Sequence, residues 1–151
     1  MEDDMSYDDA KEAILNSSES SSVYIGADSI RFKKRNGDWY AKYSTVIILH
    51  VDSKHGAKIF HKSVEMRDYG NLRQRLITEA GFAIEAASEI VDVIGNRHME
   101  IHLDINPNPK HKSNIAVKEA LGYVKGTTGL DAVIKPHSFA ATHAADHVVR
   151  H

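Results

Sequence analysis

The chain has 151 residues, 42% of them hydrophobic and 26% charged, with a formal net charge of −2; this is an ordinary globular composition, long enough for one domain with a true core. It contains no cysteine, which removes disulfides, thiolate metal sites and cysteine nucleophiles and leaves the cytoplasm as the expected compartment. No apolar stretch approaches the roughly 18 residues of a membrane span, and the acidic start Met1-Glu2-Asp3-Asp4 lacks the basic region of a secretory signal.

Ser6 to Leu15 reads as a short amphipathic helix, with Ser6 and Asp9 resembling a capping box and Tyr7, Ala10, Ala13 and Ile14 near one face. Ser17 to Ser22 is a Ser-rich linker, so residues 1–22 are expected to form a loosely packed arm ahead of a domain over 23–151. Val23 to Phe32 reads as a strand. Asn36-Gly37 is a hairpin signal, with Asp38 to Val51 as the partner strand. His55-Gly56 marks a further turn into a third strand, Ala57 to Met66. The pattern Leu76, Ala80, Ala83, Ala87, Ile90, Val91, Ile94 predicts a helix over Asn71 to Ile94, ended by Gly95-Asn96. A fourth strand is expected at His98 to Ile105, a helix at about Asn114 to Lys125, a short fifth strand at Ala132 to Lys135, and a last helix from Phe139 to Arg150. The fold class is α/β: a five-stranded mixed sheet in βββαβαβα order, with helices on both faces.

Four carboxylates stand at chosen places in this order. Asp28 lies on the first strand, Glu79 on the long helix, Asp104 at the end of the fourth strand and Asp146 on the last helix. An acid late in a strand buried on both faces is costly unless a cation or hydrogen bonds compensate it; a turn Asp bonding its own backbone is the other option for Asp28 and Asp104. At 100° per residue Glu79 falls at the edge of the apolar stripe, facing the sheet, whereas Glu85 and Glu89 fall toward solvent, with Glu85 in reserve. Glu79 can also pair with Arg75, one turn earlier. In the fourth strand Glu100, His102 and Asp104 share one face. Small neighbours, Ala144 and Ala145, would let the last helix bring Asp146 near Asp28. Converging carboxylates repel one another, and Mg2+ or Mn2+ relieves that repulsion with hard oxygen ligands.

The order of elements together with the segments Gly26-Ala27-Asp28-Ser29, Glu100-Ile101-His102-Leu103-Asp104-Ile105-Asn106-Pro107, Ile134-Lys135-Pro136 and Ala140-Ala141-Thr142-His143-Ala144-Ala145-Asp146 resembles the YkuK-type family of ribonuclease H-like proteins. The resemblance runs from Val23 to the C-terminus; the family usually has Thr or Ser where Ala27 stands. It implies a ribonuclease H fold, a two-metal site on Asp28, Glu79, Asp104 and Asp146, and nucleic acid as partner.

Other residues extend this picture. His143, one turn before Asp146, is a candidate proton shuttle; His143, His147 and His151 at i, i+4, i+8 offer a zinc-binding helix face as a separate possibility. Lys110, Lys112 and Ser113, ahead of a helix N-terminus, suit a substrate phosphate, and so does Lys135 in the family-like Ile-Lys-Pro. Arg31, Lys33, Lys34 and Arg35 form a basic hairpin tip beside Trp39 and Tyr40, able to follow a nucleic-acid backbone and stack on bases, or to keep a sheet edge soluble and fill the core. Two functions follow. One is a metal-dependent nuclease acting on RNA, RNA–DNA hybrid or structured DNA. The other is a non-catalytic ribonuclease H-like module that binds nucleic acid or protein.

Overall fold

The computed structural model describes residues 5–51, 56–106 and 114–145, the side chains of 114 and 143 excepted. Helix α1 (Tyr7–Leu15) is capped by Ser6, whose hydroxyl accepts from the Asp8 amide. Three strands follow, β1 (Ser22–Lys33), β2 (Trp39–His50) and β3 (Ala57–Arg67), then helix α2 (Leu72–Ile94), strand β4 (His98–Leu103) and helix α3 (Asn114–Thr128). A π-helical segment, Ala140–Ala145, closes the described chain; the remainder of the expected last helix lies outside the described residues. None of the helices described is long and apolar enough to cross a membrane.

The strands lie in the order β3-β2-β1-β4. The first three form the expected antiparallel meander. Its first turn is closed by the Gly37 amide donating to the Lys34 carbonyl, with Gly37 at φ +90°, a conformation that favours glycine. β1 then pairs in parallel with β4, from Ser22 opposite His98 to Ala27 opposite Leu103. The expected fifth strand is corrected to a single parallel bridge between His102 and Val133, so the described sheet has four strands. Val133 exchanges bonds with Leu103 and Ile101, but Pro136, which has no amide to donate, ends the run two residues beyond Ile134.

Alternation along β1 sorts the two faces. Val23, Ile25 and Ala27 meet Ile47, Leu49, Ile101 and Leu103 under α2 in the main core. Both α1 and α3 pack along α2, and Ala10 and Ile14 of α1 are fully buried in that core. The N-terminal helix is thus docked rather than loosely appended. Flanking helices on both sides widen the buried stripe of α2 to include Ile84, Ala86 and Val93, whereas Val91, expected inward, is 61% exposed.

The opposite face carries Tyr24, Val46 and Ile48 under Ala140 and Ala145 of the π segment. The approach is close because β1 has no side chain at Gly26: a Cβ there would lie 2.4 Å from both the carbonyl carbon and the oxygen of Ala140. Those are backbone atoms, which cannot swing away as a side-chain tip would. Gly26→Ala is therefore expected to cost about 1–3 kcal/mol or more through overpacking, read as a lower urea midpoint with unchanged slope; a midpoint equal to the parent's would mean that the π segment is not seated on β1.

Candidate active site

The parallel register sets the site. Asp28 and Asp104 each stand one residue beyond the last paired position of β1 and β4, on strands that run about 4.8 Å apart. Asp28 continues the face of Tyr24 and Gly26, and its carboxylate accepts from the Ser29 amide at 2.8 Å. Asp28 is 6% exposed. At Asp104 the chain folds back, the Ile105 amide donating to the Leu103 carbonyl at 2.9 Å, a three-residue turn centred on the acid. Thr142 of the π segment donates its hydroxyl to Asp104 Oδ1 at 3.3 Å.

Glu79 reaches the same rim from the other face of the sheet. It is 5% exposed on α2, while Glu85 and Glu89 on the same helix are exposed; Glu85 pairs with Lys62 at 3.7 Å, so the reserve candidate lies away from the site. The Ser29 hydroxyl donates to Glu79 Oε2. Backbone and hydroxyl of Ser29 thus tie Asp28 and Glu79 to one residue of β1. Burial pushes the Glu79 carboxyl up to about 8; the Ser29 hydrogen bond and the Arg75 guanidinium oppose this, and the charges of Asp28 and Asp104 add to it. Three of the four expected acids are therefore within electrostatic reach of one another.

The fourth, Asp146, lies outside the described residues, as do Lys110, Lys112, Ser113, His147 and His151. His143 belongs to the π segment, and its side chain is outside the description. Among the described residues no three Asp, Glu or His side chains close into one coordination cage. Lys135, read from the sequence as a phosphate contact, places its ammonium 3.0 Å from Asp104 Oδ1. A cation thus already lies beside one of the acids, and the buried Glu79 is disfavoured as an anion. Both observations fit a site whose oxygen donors call for positive charge.

The neighbours of Asp104 on its own face of β4 serve to hold the segment above it. His102 is fully buried; its Nδ1 accepts from the Ala140 amide at 3.1 Å and its Nε2 lies 2.8 Å from Glu100 Oε1. With Nδ1 as acceptor, Nε2 carries the proton and donates to Glu100. Glu100 also meets His98 Nε2 at 2.6 Å, which with His102 holds its carboxyl below the ordinary range against the opposing effect of burial. His102 therefore anchors the π segment over Gly26, and through it Thr142 at Asp104. Only the shared face of Glu100, His102 and Asp104 hinted at this.

The chain belongs to the ribonuclease H-like family, whose model matches residues 6–150. The mixed sheet described above is accordingly a ribonuclease H-like fold. Among solved structures, that of the foamy viral protease-reverse transcriptase in complex with dsDNA is similar, with 16% identity and a TM-score of 0.46 over 91% of this chain and 92% of that one. No curated protein matches.

The raised Glu79 carboxyl has a stability signature. Unfolded, it ionises near 4.5; folded, it keeps its proton to about 8. Below the lower value both states are protonated and the full stability is present; as pH rises through this window the unfolded chain releases a proton that the folded one holds, and stability falls. In chelator, Glu79→Gln should therefore exceed the parent in stability at pH 8–9, on the order of a few kcal/mol, with the gap closing toward pH 4.5. Urea titrations of both proteins across that range check it; parallel curves would mean that Glu79 ionises normally.

Proposed function

We propose that the chain is a divalent-metal-dependent nuclease of the YkuK-type branch, hydrolysing phosphodiester bonds of RNA, RNA–DNA hybrid or structured DNA. The observation that supports this reading is that Asp28 and Asp104 stand just past the end of the parallel β1–β4 pairing, with Glu79 on α2 within reach of both charges; open α/β sheets bind their ligands beyond the carboxyl ends of parallel strands. Asp28, Glu79, Asp104 and Asp146 would hold Mg2+ or Mn2+, which when bound in a pair lowers the pKa of an attacking water and stabilises the leaving oxygen.

The residues of the chain supply the rest. Ser29 orients Asp28 through its amide and Glu79 through its hydroxyl. Thr142 steadies the Asp104 carboxylate. In this reading Lys135, 43% exposed in its side chain, leaves Asp104 for a phosphate oxygen when substrate arrives, joined by Lys110, Lys112 and Ser113. His143 would serve as the proton shuttle.

The second reading, a non-catalytic ribonuclease H-like binding module, has the Lys135–Asp104 pair in its favour, because an ammonium can satisfy that carboxylate permanently. Two measurements separate the readings. Mn2+ should raise the melting temperature of the parent at pH 8 through selective binding to the folded state, and Asp104→Asn or Asp28→Asn should lose that rise. The parent should cleave at least one labelled substrate among single strands, duplexes and hybrids under Mg2+ or Mn2+, with about 10³-fold or greater loss in either variant. Binding without turnover, unaffected by both substitutions, would establish the module instead.

A further inference from the structure

Beyond Asp28, β1 runs on for five more residues to Lys33 and turns into β2. At about 3.3 Å per residue, its tip is roughly 15–20 Å past the acids. This end of the hairpin, with the end of β3 beside it, gathers rings and cations. Trp39 is 40% and Tyr69 80% exposed. The Arg31 guanidinium lies 4.4 Å from the centre of the Trp39 ring and is held there by Asp68. Arg67 lies 5.2 Å from the Tyr69 ring and 5.8 Å from that of Tyr40, and Lys34 is 4.0 Å from Tyr40.

The charge of this corner departs from that of the chain. Arg31, Lys33, Lys34, Arg35 and Arg67 face Asp38, Glu65 and Asp68, leaving an excess of two positive charges in a protein whose formal net charge is −2. Among the described residues Lys33 and Arg35 form no ion pair with a carboxylate. Behind Tyr69 lies a cleft of about 370 Å³ bounded by Tyr43, Gln74 and Thr78. Tyr43 on its wall stands opposite Ser29 in the β1–β2 pairing, and the Ser29 hydroxyl donates to Glu79.

We propose that this corner is a stacking platform for a single-stranded stretch of nucleic acid that leads to the acids. Bases paired in a duplex already stack on each other and gain nothing from an exposed ring, so cations alone would serve a duplex. Unpaired bases can stack on Tyr69 and on the Arg31–Trp39 layer, while Lys33 and Arg35 meet the phosphates. The assignment rests on the nuclease reading for its direction toward Asp28, and it narrows the substrate to nucleic acid with an unpaired strand.

The test uses the full chain in chelator, where binding is separated from cleavage. Trp39 is the only tryptophan, so its emission reports the corner directly. Short single-stranded DNA and RNA should both quench it and bind at least about five-fold tighter than the matched duplex, with Tyr69→Ala weakening single-strand binding about five-fold or more and Tyr69→Phe restoring it. The double variant Lys33→Ala, Arg35→Ala should flatten the salt dependence of binding. Equal affinity for duplex, no binding at all, or indifference to Tyr69→Ala overturns the proposal. Cleavage of a substrate in Mn2+ with equal efficiency in Tyr69→Ala would remove the platform and leave the nuclease standing; Tyr69-dependent binding without cleavage under any metal would do the reverse.

Discussion

Parallel pairing between β1 and β4 joins two segments far apart in the chain and leaves Asp28 and Asp104 as the first residues beyond that pairing. Because side chains alternate, a slip of one residue would send the acid of one strand to the opposite face and bury its neighbour's aliphatic side chain in the wrong layer. The register is held by the core itself: Ile25 with Ile101 and Ala27 with Leu103 all lie beneath α2. The same aliphatic packing that stabilises the fold therefore sets the spacing of the strands that carry the acids, and the turn centred on Asp104 starts from it.

Bringing acids together carries an electrostatic cost, which the protein meets in two local ways. At Asp104 the Lys135 ammonium supplies a counter-charge. At Glu79, on the buried side of α2, burial and the neighbouring acids favour the neutral form. A bound divalent cation would replace both devices at once, displacing a lysine and a proton. Each device depends on long-range packing: Lys135 follows the bridge of Val133 to β4, and Glu79 faces Ser29 because α2 crosses β1.

Local pattern made much of this legible. Asn36-Gly37 announced the hairpin, and helical phase alone separated inward Glu79 from outward Glu85 and Glu89. What escaped was tertiary. Val91 belongs to the apolar stripe by phase, yet the flanking helices cover Val93 instead. The Ser-rich stretch after the N-terminal helix suggested an appended arm, but Ala10 and Ile14 sit flush against the core. Ala132 to Lys135 has strand-like residues, but the backbone bonds to β4 form only about Val133. Lys135 looked like a free cation because nothing in its own segment shows which acid the turn after Val133 will bring beside it. His102 gave one clue, its phase with Asp104; that its ring would accept from the Ala140 amide depends on Gly26 admitting the π segment, a contact made across the sheet.

β1 relates the two surfaces. Gly26 seats the π segment, Asp28 and Ser29 organise the acids, and Arg31 and Lys33 belong to the aromatic corner. All stand on one continuously paired strand, with β2 opposite every residue from Ser22 to Lys33. A strand held in this way cannot shorten or flex between its residues as a loop can, so the distance from corner to acids is a fixed length of backbone. A polymer gripped at the corner would then present to the acids a bond at a set spacing from the grip, and positioning on rigid elements is what turns binding at one place into orientation at another.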